Sequence, residues 1–129
     1  MDEFSSPTEG VVFHAGFPNA AEDARASSLS LDNLIVRHRA STFFWRLPEG
    51  GIPEMGWKGG DIAVVDRAVQ AGTNDWVVAV IDEVFVIRQY RKQGNRIFLL
   101  TPAGQREAAQ DGVLLWGVIT FVVQQLRSV

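Results

Sequence analysis

From residue 41 onward the chain is a succession of short apolar runs, each ended by a turn signal or a charge. No other feature constrains the fold as much. Residues 42–47, 61–66, 76–81, 84–90, 96–100 and 113–126 are rich in Val, Ile, Phe and Trp. β-branched and aromatic residues favour strands, and runs of this length bounded by polar clusters read as strands. Asp82-Glu83 lies between two of them at hairpin spacing, although the tightest hairpin turns favour Asn and Gly. Gln93-Gly94-Asn95 turns the chain between the next two. Residues 101–112 are polar and read as a loop, and Gly117 inside the last run predicts a bulge or bend. Short, mostly sequential strands predict a mainly β fold, a curled antiparallel sheet or irregular barrel.

One short helix is predicted over residues 30–38. Ser30 is its N-cap, Asp32 suits the positive end of the helix dipole, and Arg37 and His38 suit the negative end. Leu31, Leu34, Ile35 and His38 fall at i, i+3, i+4 and i+7, which predicts one apolar stripe. Ahead of it, residues 19–29 read as a surface connection and residues 1–10 as a mobile polar arm. Ala15-Gly16-Phe17-Pro18 reads as extended, because a residue before proline is pushed out of the α region. The expected organisation is an arm over 1–18 and one β domain over 19–129.

The chain's 129 residues support one core, and its net charge of −3 disfavours direct nucleic-acid binding. The absence of cysteine removes disulfides, thiolate metal sites and Cys nucleophiles. Only His14 and His38 remain as imidazole ligands, so no metal and no cofactor are expected. No signal peptide is visible, and the apolar run over 113–123 is too short to span a bilayer. The expectation is a soluble, cytoplasmic protein.

The place to look for chemistry is the loop over residues 47–60, which holds Gly50, Gly51, Gly56, Gly59 and Gly60 with Pro48 and Pro53. It is no phosphate loop, since Lys58 is not followed by Ser or Thr and a helix, and Glu49 and Glu54 oppose anions. Glu49 with Glu54, and Asp82 with Glu83, read as solvated charges. Ser27, Ser28 and Ser30 precede or cap the helix and Ser41 starts a strand, so none sits in a strained nucleophile turn. Residue by residue no active site emerges, and a scaffold or binding module leads.

Taken in order, however, several segments form a pattern. Ala15-Gly16 followed by Phe17-Pro18, the short helix running into Ala40-Ser41-Thr42-Phe43-Phe44, and Gly60-Asp61-Ile62-Ala63-Val64-Val65-Asp66 come in sequence. They are followed by Asn74-Asp75-Trp76-Val77-Val78 with its hairpin, and by Trp116-Gly117-Val118-Ile119. From about Val11 to the end the chain resembles the UmuD-like members of the LexA/UmuD family of self-cleaving serine–lysine proteins. The resemblance implies a β fold of the LexA C-terminal-domain type, with Ala15 and Gly16 as a cleavage-like segment.

It also locates the family's catalytic dyad. The family serine lies ten residues before the aspartate of the Gly-Asp strand, which is Gly51 here, and the family lysine falls at Ile87. Self-cleavage needs a hydroxyl nucleophile and a buried neutral amine to take its proton. Neither Gly51 nor Ile87 supplies one. Arg88 would face the other side of the strand and cannot deprotonate, and Lys58 would lack a serine partner. The expectation is a pseudo-protease whose positions 51 and 87 adjoin across a dry, uncharged cleft.

By resemblance its partners are a second copy or an active relative, a translesion polymerase of the UmuC type, and the RecA filament, all in the SOS response to DNA damage. The arm could then be cut in trans by a competent relative. The alternatives are an active self-cleaving protease with an unrecognised dyad, and a LexA-type transcriptional regulator. The regulator is opposed by the acidic charge and by the lack of a helix-turn-helix before Ala15.

Overall fold

The computed structural model describes residues 30–108 and 113–128. They divide between Ile35 and Val36 into two units. The first holds helix α1, Leu31–Ile35. Ser30 caps it as predicted: the Asn33 N–H donates to Ser30 Oγ at 3.1 Å. The helix is shorter than predicted, and the stripe reaching His38 does not form. Ile35 is buried, but Leu31 and Leu34 are exposed. His38 is engaged elsewhere. Its carbonyl accepts the Ser41 N–H at 3.0 Å and the Thr42 hydroxyl at 2.7 Å, opening a 3-10 turn over Arg39–Ser41.

The second unit is a seven-stranded sheet. Its strands are β1 (Thr42–Arg46), β2 (Ile62–Asp66), β3 (Trp76–Ile81), β4 (Val84–Gln93), β5 (Arg96–Leu100), β6 (Arg106–Ala108) and β7 (Leu114–Val123). They lie in the order β1-β2-β7-β3-β4-β5-β6, with every neighbouring pair antiparallel. β1 and β6 are the two edges, so the sheet is curled rather than closed into a barrel. The curl is visible in one contact: Trp45 of β1 meets Phe85 of β4 edge-on at 5.0 Å, although three strands separate them in the sheet. β6 corrects the reading of residues 101–112 as loop throughout. It is three residues long and its sequence is polar, as befits an edge that must not invite further pairing.

Both faces of the sheet are packed. Val77 and Ala79 of β3 lie with Tyr90, Leu99 and Val118 in one apolar cluster. Val78, between them, points the other way into a cluster with Leu47, Ala63 and Val65. Burial on both faces explains why these strands read as continuous apolar runs. The predicted irregularity at Gly117 is a bulge one residue earlier. Val78 pairs with Gly117 and Ala79 with Leu115, which leaves Trp116 as the extra residue. Gly117 is needed for close approach, since a Cβ there would stand 2.7 Å from Val65 Cγ1.

The β3–β4 hairpin turns on Asp82 and Glu83, both at positive φ (51° and 67°). Two-residue hairpin loops with both residues left-handed favour Asn-Gly. Replacing the pair by Asn-Gly should therefore raise stability by about 1–2 kcal/mol, the approximate cost of holding ordinary residues left-handed. Urea unfolding checks this; an unchanged midpoint would show that the turn carries no strain.

Candidate functional site

The loop between β1 and β2 is built largely from its own backbone. Leu47 N–H donates to the Asp61 carbonyl at 2.8 Å, and Gly60 N–H returns to the Leu47 carbonyl at 2.9 Å. Inside this closure, Ile52 and Trp57 form an isolated antiparallel bridge around a 3-10 turn, Pro53–Met55. Asp61, 5% exposed, holds the loop's end: its Oδ2 accepts the Lys58 N–H and Gln124 Nε2, both at 2.8 Å. Gln124 Nε2 also donates to the Gly56 carbonyl at 3.0 Å.

The two limbs of the loop cross at glycines. A Cβ on Gly51 would lie 2.3 Å from the Trp57 carbonyl oxygen, 2.6 Å from the Lys58 carbonyl carbon and 2.7 Å from the Gly59 nitrogen. A Cβ on Gly59 would stand 2.9 Å from the Pro48 carbonyl oxygen. Gly51 also sits at φ +57°. Main chain occupies the space a side chain at position 51 would need, so no hydroxyl can be carried there in this loop.

Ile87 lies on β4 opposite Val78 and packs against the cluster of Leu47, Ala63, Val65 and Val78. It also lines a cleft of about 330 Å³ between β4 and the β1 end of the loop. Trp45, Leu47, Ile52 and Phe85 give the cleft its apolar wall; Pro48, Val86 and Pro102 complete it with two arginines, Arg46 and Arg88. Two details differ from expectation. Ile52, not Gly51, lines the cleft with Ile87, because the glycine faces the opposite limb of its own loop. Arg46 and Arg88 also belong to its lining, although the Arg88 head is drawn to Glu107. None of its lining residues carries a hydroxyl, an imidazole, a carboxylate or a neutralisable amine.

Arg88 behaves as its register predicts. It pairs with Val77, on the face opposite Ile87, and its Nε donates to Glu107 Oε1 at 2.8 Å. Its Nη1 donates to the Ile87 carbonyl at 2.9 Å.

A second polar cluster escaped the sequence reading, which had His38 serving a helix end. Instead its Nδ1 lies 2.7 Å from Oδ2 of Asp66, a carboxylate only 4% exposed. Asp66 Oδ1 accepts the Ala68 N–H at 2.9 Å and the Ser41 hydroxyl at 3.3 Å. Burial pushes this carboxyl up. Hydrogen bonds from His38 and Ala68, the His38 charge and the Ser41 hydroxyl outweigh it and hold the group below its ordinary 3.8. Ser, His and Asp thus meet, but not in catalytic order. Ser41 bonds the carboxylate and the His38 carbonyl, not the imidazole that would have to take its proton. The cluster fastens the start of β1 to the end of β2. Only the 28-residue separation of His38 and Asp66 hid it from sequence.

Ala15 and Gly16 lie outside the described residues. Among the described residues no group of three His, Asp or Glu could hold a metal ion, and no helix is long and apolar enough to cross a membrane.

Comparison with known proteins accounts for this architecture. Residues 11–105 match the peptidase S24-like family. The chain is 30% identical to the protein SamA of Salmonella typhimurium over 114 residues, covering 88% of this chain and 81% of the relative. It is 28% identical to ImpA of Salmonella typhimurium, covering 98% and 89% of the two chains. To MucA of Escherichia coli it is 28% identical, covering 82% and 75%. An open antiparallel sheet with one short helix among the described residues, and a family match over most of the chain's length, establish that the chain belongs to the peptidase S24-like family, as a UmuD-like protein of the LexA/UmuD group.

Proposed function

We propose that this chain is a non-catalytic UmuD-like accessory protein of SOS mutagenesis, which keeps the family's binding role without its protease. Its UmuD-like relatives support the role in SOS mutagenesis. The observation that carries the loss of catalysis is position 51. The loop there is closed by its own main chain, and Ile87, where the family lysine is expected, is packed among apolar side chains. The nearby cleft offers no nucleophile and no base. The partners are a translesion polymerase of the UmuC type and the RecA filament, with a second copy or an active relative completing a dimer. Half-exposed Phe43 and Phe85, on the face toward which the sheet curls, support such an association.

The test is a mass measurement on the purified chain after incubation with activated RecA at alkaline pH, where a buried lysine would be neutral. The chain should stay intact. A product beginning at Gly16 would sink the non-catalytic reading. Adding a cleavage-competent relative asks separately whether the arm is cut in trans. Co-expression with a UmuC-type polymerase should yield a complex that survives size-exclusion chromatography, and its absence would remove the accessory role.

A further inference from the structure

Three arginines widely spaced in sequence are brought together by the register of β4, β5 and β6. Arg91 is the cross-strand partner of Phe98, and Arg106 is the partner of Leu100. Arg96 lies two residues before Phe98 on β5. Alternation along strands puts Arg91, Arg96, Phe98, Leu100 and Arg106 on one face. The arginine heads gather over the ring: Arg106 Cζ stands 4.1 Å from the Phe98 centroid and Arg96 Cζ 5.4 Å. Phe98 is only 6% exposed, yet it belongs to neither apolar cluster of the sheet. Two guanidinium groups lie over it on this face.

No carboxylate among the described residues pairs with these three cations. Glu107 lies next to Arg106 in sequence but faces the other side, where it bonds Arg88. Among the described residues the Arg91 side chain hydrogen-bonds the Gln89 side chain, at 3.4 Å, and its Nε is buried with no hydrogen-bond partner. An unpaired buried donor on a cation costs stability, and a chain of net charge −3 has carboxylates to spare for pairing it. Two forked cations held over an aromatic ring, with Arg91 on the neighbouring strand and no carboxylate among the described residues to pair them, suit external carboxylates.

We propose that Arg91, Arg96 and Arg106, gathered about Phe98, form a docking site for an acidic peptide segment of a partner protein. The geometry suits an extended peptide. Same-face carboxylates on a strand recur about every 7 Å, and the cations flank Phe98 on adjacent strands. Nucleic acid is the less favoured anion, because three contacts on an acidic chain give little counterion release. The site stands independently of whether the chain cleaves itself.

The test uses fluorescence anisotropy with a labelled peptide alternating Glu and Thr. A Gln-Thr counterpart and an oligothymidylate of similar length serve as competitors. The acidic peptide should bind, and the neutral peptide should not. Arg91→Gln, Arg96→Gln and Arg106→Gln together should weaken binding about tenfold or more, whereas Arg39→Gln should leave it unchanged. Arg91→Met supplies a readout that a purely structural arginine would not give: binding should weaken while Tm rises by a few degrees, as the unpaired nitrogen is removed. Equal binding of the neutral peptide, unchanged binding by the triple variant, equal loss in Arg39→Gln, or a lower Tm in Arg91→Met would each overturn the proposal. Stronger binding of the oligothymidylate would replace the peptide by nucleic acid.

Discussion

Placing a serine–lysine pair at the positions where the family resemblance puts it, as Gly51→Ser with Ile87→Lys, should produce an unstable protein that still does not cleave itself. The serine fails first. Its Cβ would need to occupy points 2.3–2.7 Å from main-chain atoms of residues 57–59, and none of these can swing aside as a side-chain tip can. Relieving the clash means opening the crossing of the two loop limbs, at a cost of roughly 3 kcal/mol or more. The lysine fails separately. It would replace an isoleucine packed against Leu47, Ala63, Val65 and Val78, losing that contact and placing an amine beside an apolar wall. About 2–4 kcal/mol is expected for that change. Chemical unfolding of the two single variants should show the two penalties, and mass measurement should show an intact double variant. A soluble, self-cleaving double variant would mean that the loop opens at little cost, and the non-catalytic reading would lose its main support.

Asp66→Asn should have the second-largest effect, a loss of about 2–4 kcal/mol at neutral pH. The carboxylate accepts from His38, Ser41 and Ala68 at once, and an amide turns one of its two oxygens into a donor. The sign of the pH dependence follows from the depressed titration of Asp66. A carboxyl held below its unfolded value contributes stability that is fully present above 3.8 and is lost as pH falls from there through the folded value. The gap between wild type and Asp66→Asn in urea midpoint should thus shrink as pH falls below about that point. A gap that widens in acid would mean that the group is not held ionised by the fold.

The strands were legible because each is a short apolar run with turn residues at its ends, and the β3 and β5 boundaries coincide with the runs read from sequence. β6 was illegible for the converse reason: three residues of polar sequence carry no pattern, and only pairing with β5 makes them a strand. The last run showed no alternation because β7 shifts register twice. Trp116 is extra opposite β3, and Thr120 is extra where Val65 pairs with Ile119 and Val64 with Phe121. Each added residue reverses which face the next side chain takes, so period-two patterning is erased. The helix was read too long because His38 fits an amphipathic stripe locally, while a buried carboxylate far along the chain claims it. For the candidate site, residue types could show that a hydroxyl and an amine are missing from positions 51 and 87. They could not show that the main chain fills the space at Gly51, nor that Arg46 and Arg88 reach the cleft, because both depend on how distant segments cross.

The fastening at Asp66 also couples two strands. Among the described residues, the groups bonded at the entry to β1 come from residues 38–68: His38, Ser41, Asp66 and the Ala68 amide. The first strand is therefore anchored at its entry by the last residue of its neighbour, β2. Loss of that one carboxylate would loosen two strand ends together.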